Sequence, residues 1–108
     1  GWLLNITNDA WFGVSTGPYQ HFAATQLRAV EEGIPLVRVA NTGITGITDA
    51  YGRVIVQTEL NKDAVIDSGL PVALAEATWY GKHRNMTFLL VTLLFFGISR
   101  MSLLFPDE

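Results

Sequence analysis

The chain has 108 residues, enough for one small domain, and 49% of them are hydrophobic, with the most apolar stretch in the last quarter. The net charge is −3 with acids and bases interspersed, which leaves no basic footprint for nucleic acid. Cysteine is absent, so disulfides, thiolate metal sites and a cysteine nucleophile are excluded from these residues.

The sequence starts at Gly1, without Met or signal peptide, and runs straight into a strand-like segment; the expectation is a piece of a longer protein. Residues 1–7 read as a short buried strand and 8–16 as a loop. Gly17-Pro18 marks a helix start, because a proline at the first helical position gives up an N–H that has no partner there anyway. Tyr19, Phe22, Ala23, Leu27 and Val30 then recur at spacings of three and four, the pattern of an amphipathic helix to about Glu32, with Gly33 as its stop. Residues 35–40 are rich in β-branched residues and read as a strand broken by Asn41-Thr42-Gly43. Residues 44–49 and 53–58 pair as a hairpin around Ala50-Tyr51-Gly52, and 64–70 read as a further strand. Residues 71–85 are expected to be irregular. The order is a mixed α/β pattern.

Residues 86–105 differ in kind. Fourteen of these 20 are apolar and one, Arg100, is charged. Leucine, valine and phenylalanine cover every side of the helix they would form, and 20 helical residues reach roughly 30 Å, the thickness of a bilayer core. The expectation is one C-terminal transmembrane helix, 86–105, after a juxtamembrane linker, 81–85. Lys82, His83 and Arg84 would put the N-terminal side in the cytoplasm by the positive-inside rule.

The two histidines, His21 and His83, have no metal-ligand spacing to one another. His21 falls in the first turns of the helix: either it is a polar group bonded locally at a helix start, or it lines a site into which the preceding loop leads. Gly43, Gly46 and Gly52 make no phosphate loop and suit turns and bulges. No serine lies in a nucleophile elbow, and the Asn5-Ile6-Thr7 glycosylation triplet falls in a strand. One stretch resists a bland explanation. Asn8-Asp9-Ala10-Trp11-Phe12-Gly13 follows a strand, where open α/β sheets place their sites. Asn and Asp can fix such a loop through its own backbone, and a Trp supplies a rigid apolar wall with one N–H donor. The competing account is a loop anchored by two aromatics in the core. Asn41-Thr42-Gly43 ends a later strand and brings a second polar turn to the same edge.

The segments LLNITNDAWFG and GPYQHFAATQLRAVEEGIPLVRVANTGITGITDAYGRV, with the tail TWYGKHRN before an apolar helix, resemble the C-terminal part of the apolipoprotein N-acyltransferase family, the membrane branch of the nitrilase (carbon–nitrogen hydrolase) superfamily. The resemblance implies an α/β fold, part of a nitrilase-type α-β-β-α sandwich over residues 1–80, followed by the C-terminal helix. It implies a Glu-Lys-Cys triad whose cysteine takes an acyl chain from a phospholipid acyl donor as a thioester. The chain then passes to the α-amino group of a diacylglyceryl-modified apolipoprotein acceptor, two-step covalent catalysis without a cofactor or metal. It implies the bacterial inner membrane, with the catalytic domain facing the periplasm, the reverse of the charge count. The triad matches no residue here, and the segment alone is expected to be inactive. Trp11 matches a tryptophan the family needs. Asn8, Asp9, Phe12, His21 and Asn41 match the same motifs and join it as expected substrate-binding residues. A membrane-tethered nitrilase-like amidase and a non-catalytic membrane-anchored binding domain are the alternatives.

Overall fold

The computed structural model describes residues 1–104, with side chains through Met101. Strand β1 (Leu3–Asn8) leads through a single 3-10 turn (Ala10–Phe12) into helix α1 (Gly17–Glu32), and α1 returns the chain to β2 (Leu36–Asn41). β2 lies parallel to β1, in register from Leu3↔Leu36 to Asn8↔Asn41. The crossover helix is what a parallel pair requires, since no tight turn can join two strands running the same way. β3 (Gly46–Thr48) and β4 (Val54–Gln57) follow as antiparallel neighbours, so the sheet order is β1-β2-β3-β4.

Period-2 alternation decides which strand residues face α1. Leu36, Arg38 and Ala40 of β2 point into the layer between sheet and helix, as do the half-buried Leu3, Asn5 and Thr7 of β1. Phe22 and Ala29 of α1 meet Leu36 and Ile44 there, flanked by Leu3 and Leu60. Leu4, Ile6 and Val39 alternate to the opposite face and remain exposed. Helix α1 starts and stops as expected: Pro18 stands in its first turn, and Gly33 ends it in the left-handed region at φ 68°, returning its N–H to the carbonyls of Ala29 and Val30.

The tail is strapped back over the C-terminal end of α1. Leu74 N–H donates to the Gly33 carbonyl (2.9 Å), the Thr78 hydroxyl to the Glu31 carbonyl, and Arg84 to Glu32 (2.8 Å). Thr78 caps a short helix, α2 (Trp79–His83), by accepting the Gly81 N–H. This segment was expected to be irregular; five residues are too few to show a helical period. The strand expected over 64–70 does not form. Asp67-Ser68-Gly69 are poor strand formers, and a strand without a hydrogen-bonded neighbour is not stable.

The C-terminal expectation is met as far as the helix. A helix does form, α3 (Met86–Leu104), and every side chain from Lys82 to Met101 is exposed. Among the described residues, however, no helix is long and apolar enough to cross a membrane. Phe105, the last residue of the expected span, lies outside the described residues.

The β3–β4 turn is tied by one carboxylate. Asp49 Oδ1 accepts the N–H groups of Tyr51 and Arg53 (2.9 Å each), and Oδ2 accepts Arg53 Nε (2.7 Å). Burial pushes the Asp49 carboxyl up, but the Arg53 and Tyr51 donors together outweigh it and hold it below the usual carboxylate range. A depressed carboxyl contributes stability that is fully present above its unfolded pKa, about 3.9, and lost as pH falls through the folded value. In denaturant titrations, wild type should therefore exceed Asp49→Asn in midpoint near pH 6, and the gap should close as the pH falls below about 4.

Candidate functional site

The parallel strands end side by side at Asn8 and Asn41, which are register partners. Asn41 Nδ2 donates to Asn8 Oδ1 (3.0 Å), and the same oxygen accepts the Ala10 N–H (3.1 Å), turning the chain out of the sheet. Asp9 N–H continues the ladder by one bond to the Asn41 carbonyl (3.0 Å). Phe12 N–H then closes the 3-10 turn on the Asp9 carbonyl (3.0 Å). Two asparagines and a backbone bond thus fix where the loop leaves the strand.

The Asp9 side chain does not face outward. It turns inward, with no exposed surface, and each oxygen has a partner: Oδ1 lies 2.8 Å from His21 Nδ1, and Oδ2 accepts Arg38 Nη2 at 2.8 Å. Arg38 is itself wholly buried, between β2 and α1. Its Nη1 donates to Asn5 Oδ1 (2.6 Å) and Thr25 Oγ1 (2.9 Å), and its Nε to the Ile44 carbonyl (3.2 Å). Its guanidinium also lies 5.9 Å from the Phe22 ring centre. Four of the five guanidinium N–H groups are thereby used, on β1, the loop, α1 and the β2–β3 turn.

Asp9 in this ion pair can only accept, so the His21 nitrogen facing it carries the proton. Arg38 Nη2, 3.2 Å from the same nitrogen, is then a close neighbour and not a second bond. His21 Nε2 is left without a protein partner among the described residues, on a side chain 35% exposed. The Phe12 ring packs 5.7 Å from the imidazole and against the start of α1, where a Cβ added to Gly17 would fall 2.6 Å from the ring. Gly43 makes a comparable close approach: an added Cβ would fall on the Asp9 carboxylate.

Trp11, at the tip of the turn, is 90% exposed. It is no core anchor, which removes the competing account of the loop for this residue; Phe12, half-exposed against α1, keeps part of that role. The expected residues therefore divide. Asn8, Asp9, Asn41 and the Nδ1 side of His21 hold the loop, Phe12 seats it, and Trp11 is presented to the outside. Arg38, Asn5 and Thr25 were not singled out in the sequence. The available signal was Arg38 itself, a charge at an inward position of an otherwise apolar strand, which calls for a buried partner. No group of three His, Asp or Glu side chains among the described residues is placed to hold a metal ion.

The carbon–nitrogen hydrolase family matches residues 2–80, and the chain belongs to that family. Beyond the family, it is similar to proteins named apolipoprotein N-acyltransferase. The one from Rhodopseudomonas palustris is 52% identical over 75 residues, 69% of this chain and 14% of that protein. The one from Rickettsia bellii is 49% identical over 97 residues, covering 90% and 19%. The one from Rickettsia prowazekii is 42% identical over 106 residues, covering 98% and 21%. The chain thus spans at most about a fifth of the length of these relatives.

Truncating Asp9 to Ala leaves a buried guanidinium uncompensated and should cost about 3–5 kcal/mol in denaturant unfolding. The joint change Asp9→Leu with Arg38→Met removes both charges and should recover a large part of that loss, the non-additivity of a coupled pair. Gly43→Ala should cost about 1–3 kcal/mol by crowding the carboxylate, seen as a lower unfolding midpoint.

Proposed function

We propose that this chain is the C-terminal portion of the catalytic domain of an apolipoprotein N-acyltransferase. The relatives' names and identities support the activity. The observation that carries a role for this portion is the loop: a rigidly bonded turn at the carboxyl end of two parallel strands, holding Trp11 fully outward. A large aromatic without fold partners is a contact surface for something outside the fold, and an acyl chain suits its apolar face.

In the reaction, a cysteine thiolate attacks the ester carbonyl of a phospholipid, forming a thioester and releasing the lysophospholipid. The α-amino group of a diacylglyceryl-cysteine on a lipoprotein then attacks the thioester, forming the amide and returning the thiolate. These 108 residues contain no cysteine, so the nucleophile comes from elsewhere in the whole protein, and the segment alone is inactive; the family resemblance assigns its Glu and Lys partners to earlier parts of the protein as well. Residues 1–80 supply one α/β layer of an α-β-β-α sandwich, and the exposed face of Leu4, Ile6 and Val39 is where the second sheet packs. Residues 81–85 link this domain to α3, whose apolar side chains are exposed on all sides and lie against lipid. A lipid donor and this helix together favour work at the bacterial inner membrane, with the domain on the periplasmic side.

Trp11→Ala in the full-length protein tests the role. Acyl transfer to a lipoprotein acceptor should fall at least about tenfold, or ~1.4 kcal/mol of transition-state stabilisation. The unfolding free energy should stay within about 0.5 kcal/mol, as for a surface change. Undiminished transfer, or loss of the folded protein, would rule out the contact role.

A further inference from the structure

Two cavities meet where the parallel strands end. The larger, about 360 Å³, has Ile6 and Val39 on its apolar side and Thr45, Thr58, Lys62 and Asp63 on its polar side. The smaller, about 160 Å³, lies beside the loop, against Ala10, Gly13 and Val14. Thr42 and Asn61 line both. They are bonded to one another, Asn61 N–H donating to the Thr42 carbonyl (3.1 Å), and both have left-handed backbones, at φ 58° and 57°. Asparagine tolerates that region, whereas a β-branched threonine there is strained, a condition that concentrates at functional sites.

The polar side of the larger cavity is rich in unspent donors. Thr45 Oγ1 accepts the Ala40 N–H (3.1 Å) and Thr58 Oγ1 accepts the Thr45 N–H (3.1 Å). Each hydroxyl is held in place as an acceptor, so its own O–H remains free to donate. The exposed Lys62 adds an ammonium that forms no ion pair among the described residues. Hydroxyl donors beside one ammonium suit a phosphate oxygen. The neighbouring Asp63 carboxylate offsets part of the Lys62 charge and disfavours a dianionic group.

We infer that the larger cavity is a phosphate-binding subsite, with Lys62, Thr45 and Thr58 as donors. Thr42 and Asn61 hold it open towards the Trp11 loop. The source of the phosphate, the phosphodiester of the lipid acyl donor, rests on the acyltransferase proposal; binding of phosphate itself does not.

The full-length protein serves as the test, with inorganic phosphate and vesicles of phosphatidylglycerol as probes. By calorimetry, Lys62→Gln should weaken phosphate binding about tenfold, and Lys62→Arg should restore most of it. In the transfer assay, Lys62→Gln should raise KM for phosphatidylglycerol vesicles by a similar factor, more than it lowers kcat. Thr42→Gly should raise the melting temperature by relieving the backbone while also raising that KM, an opposition that a purely structural threonine would not give. Phosphate affinity and KM both unchanged in Lys62→Gln overturn the inference. Weaker phosphate binding with an unchanged vesicle KM supports the subsite but assigns it to free phosphate. Lys62-dependent phosphate binding in a protein that transfers no acyl group overturns the acyltransferase proposal and leaves the subsite standing.

Discussion

A single buried guanidinium organises this domain. Arg38 reaches from the middle of β2 to β1, to the loop after β1, to α1 and to the turn before β3. A charge taken out of water costs several kcal/mol, and only a near-complete set of partners offsets that cost. Asp9 supplies the opposite charge, and neutral acceptors take most of the remaining N–H groups. The apolar core proper is small, with Phe22, Ala29, Leu36 and Ile44 at its centre. Polar geometry therefore specifies how sheet, helix and loop meet more narrowly than those few apolar contacts could.

This arrangement explains why a loop with an Asn-Asp pair and two aromatics is rigid. Asn8 closes the turn from the strand side, Asp9 pins it from beneath, and Phe12 seats it on α1. Among the described residues Trp11 is left exposed, and its position follows from its neighbours being fixed. The imidazole of His21 does two things at once: its Nδ1 face belongs to the network, while its other nitrogen reaches solvent.

Local patterns were legible where one physical rule dominates. Pro18 and Gly33 bracket α1 because backbone constraints act within a few residues, and the alternation in β1 and β2 follows from burial of one face. Elements that depend on distant partners were less legible. Residues 64–70 carry some strand character but have no neighbour to pair with, and α2 exists because Thr78 caps it and the strap ties it to α1. Hydropathy at 86–105 pointed to a helix, and α3 forms over Met86–Leu104. At the site, the motif picked out Asp9 and His21 together but gave no hint that they bond to one another over a buried arginine, which lies 29 residues from Asp9 and 17 from His21.

The network also governs how the sequence can drift. Asn5, Asp9, Thr25 and Arg38 form a lock with no stable half-open state, because replacing any one of them leaves another buried polar group unmatched. Such positions change together or not at all, and selection for folding alone is enough to freeze them. Trp11 stands outside that lock: 90% of its surface is exposed among the described residues. In a lineage of this chain, persistence at position 38 is explained by architecture alone.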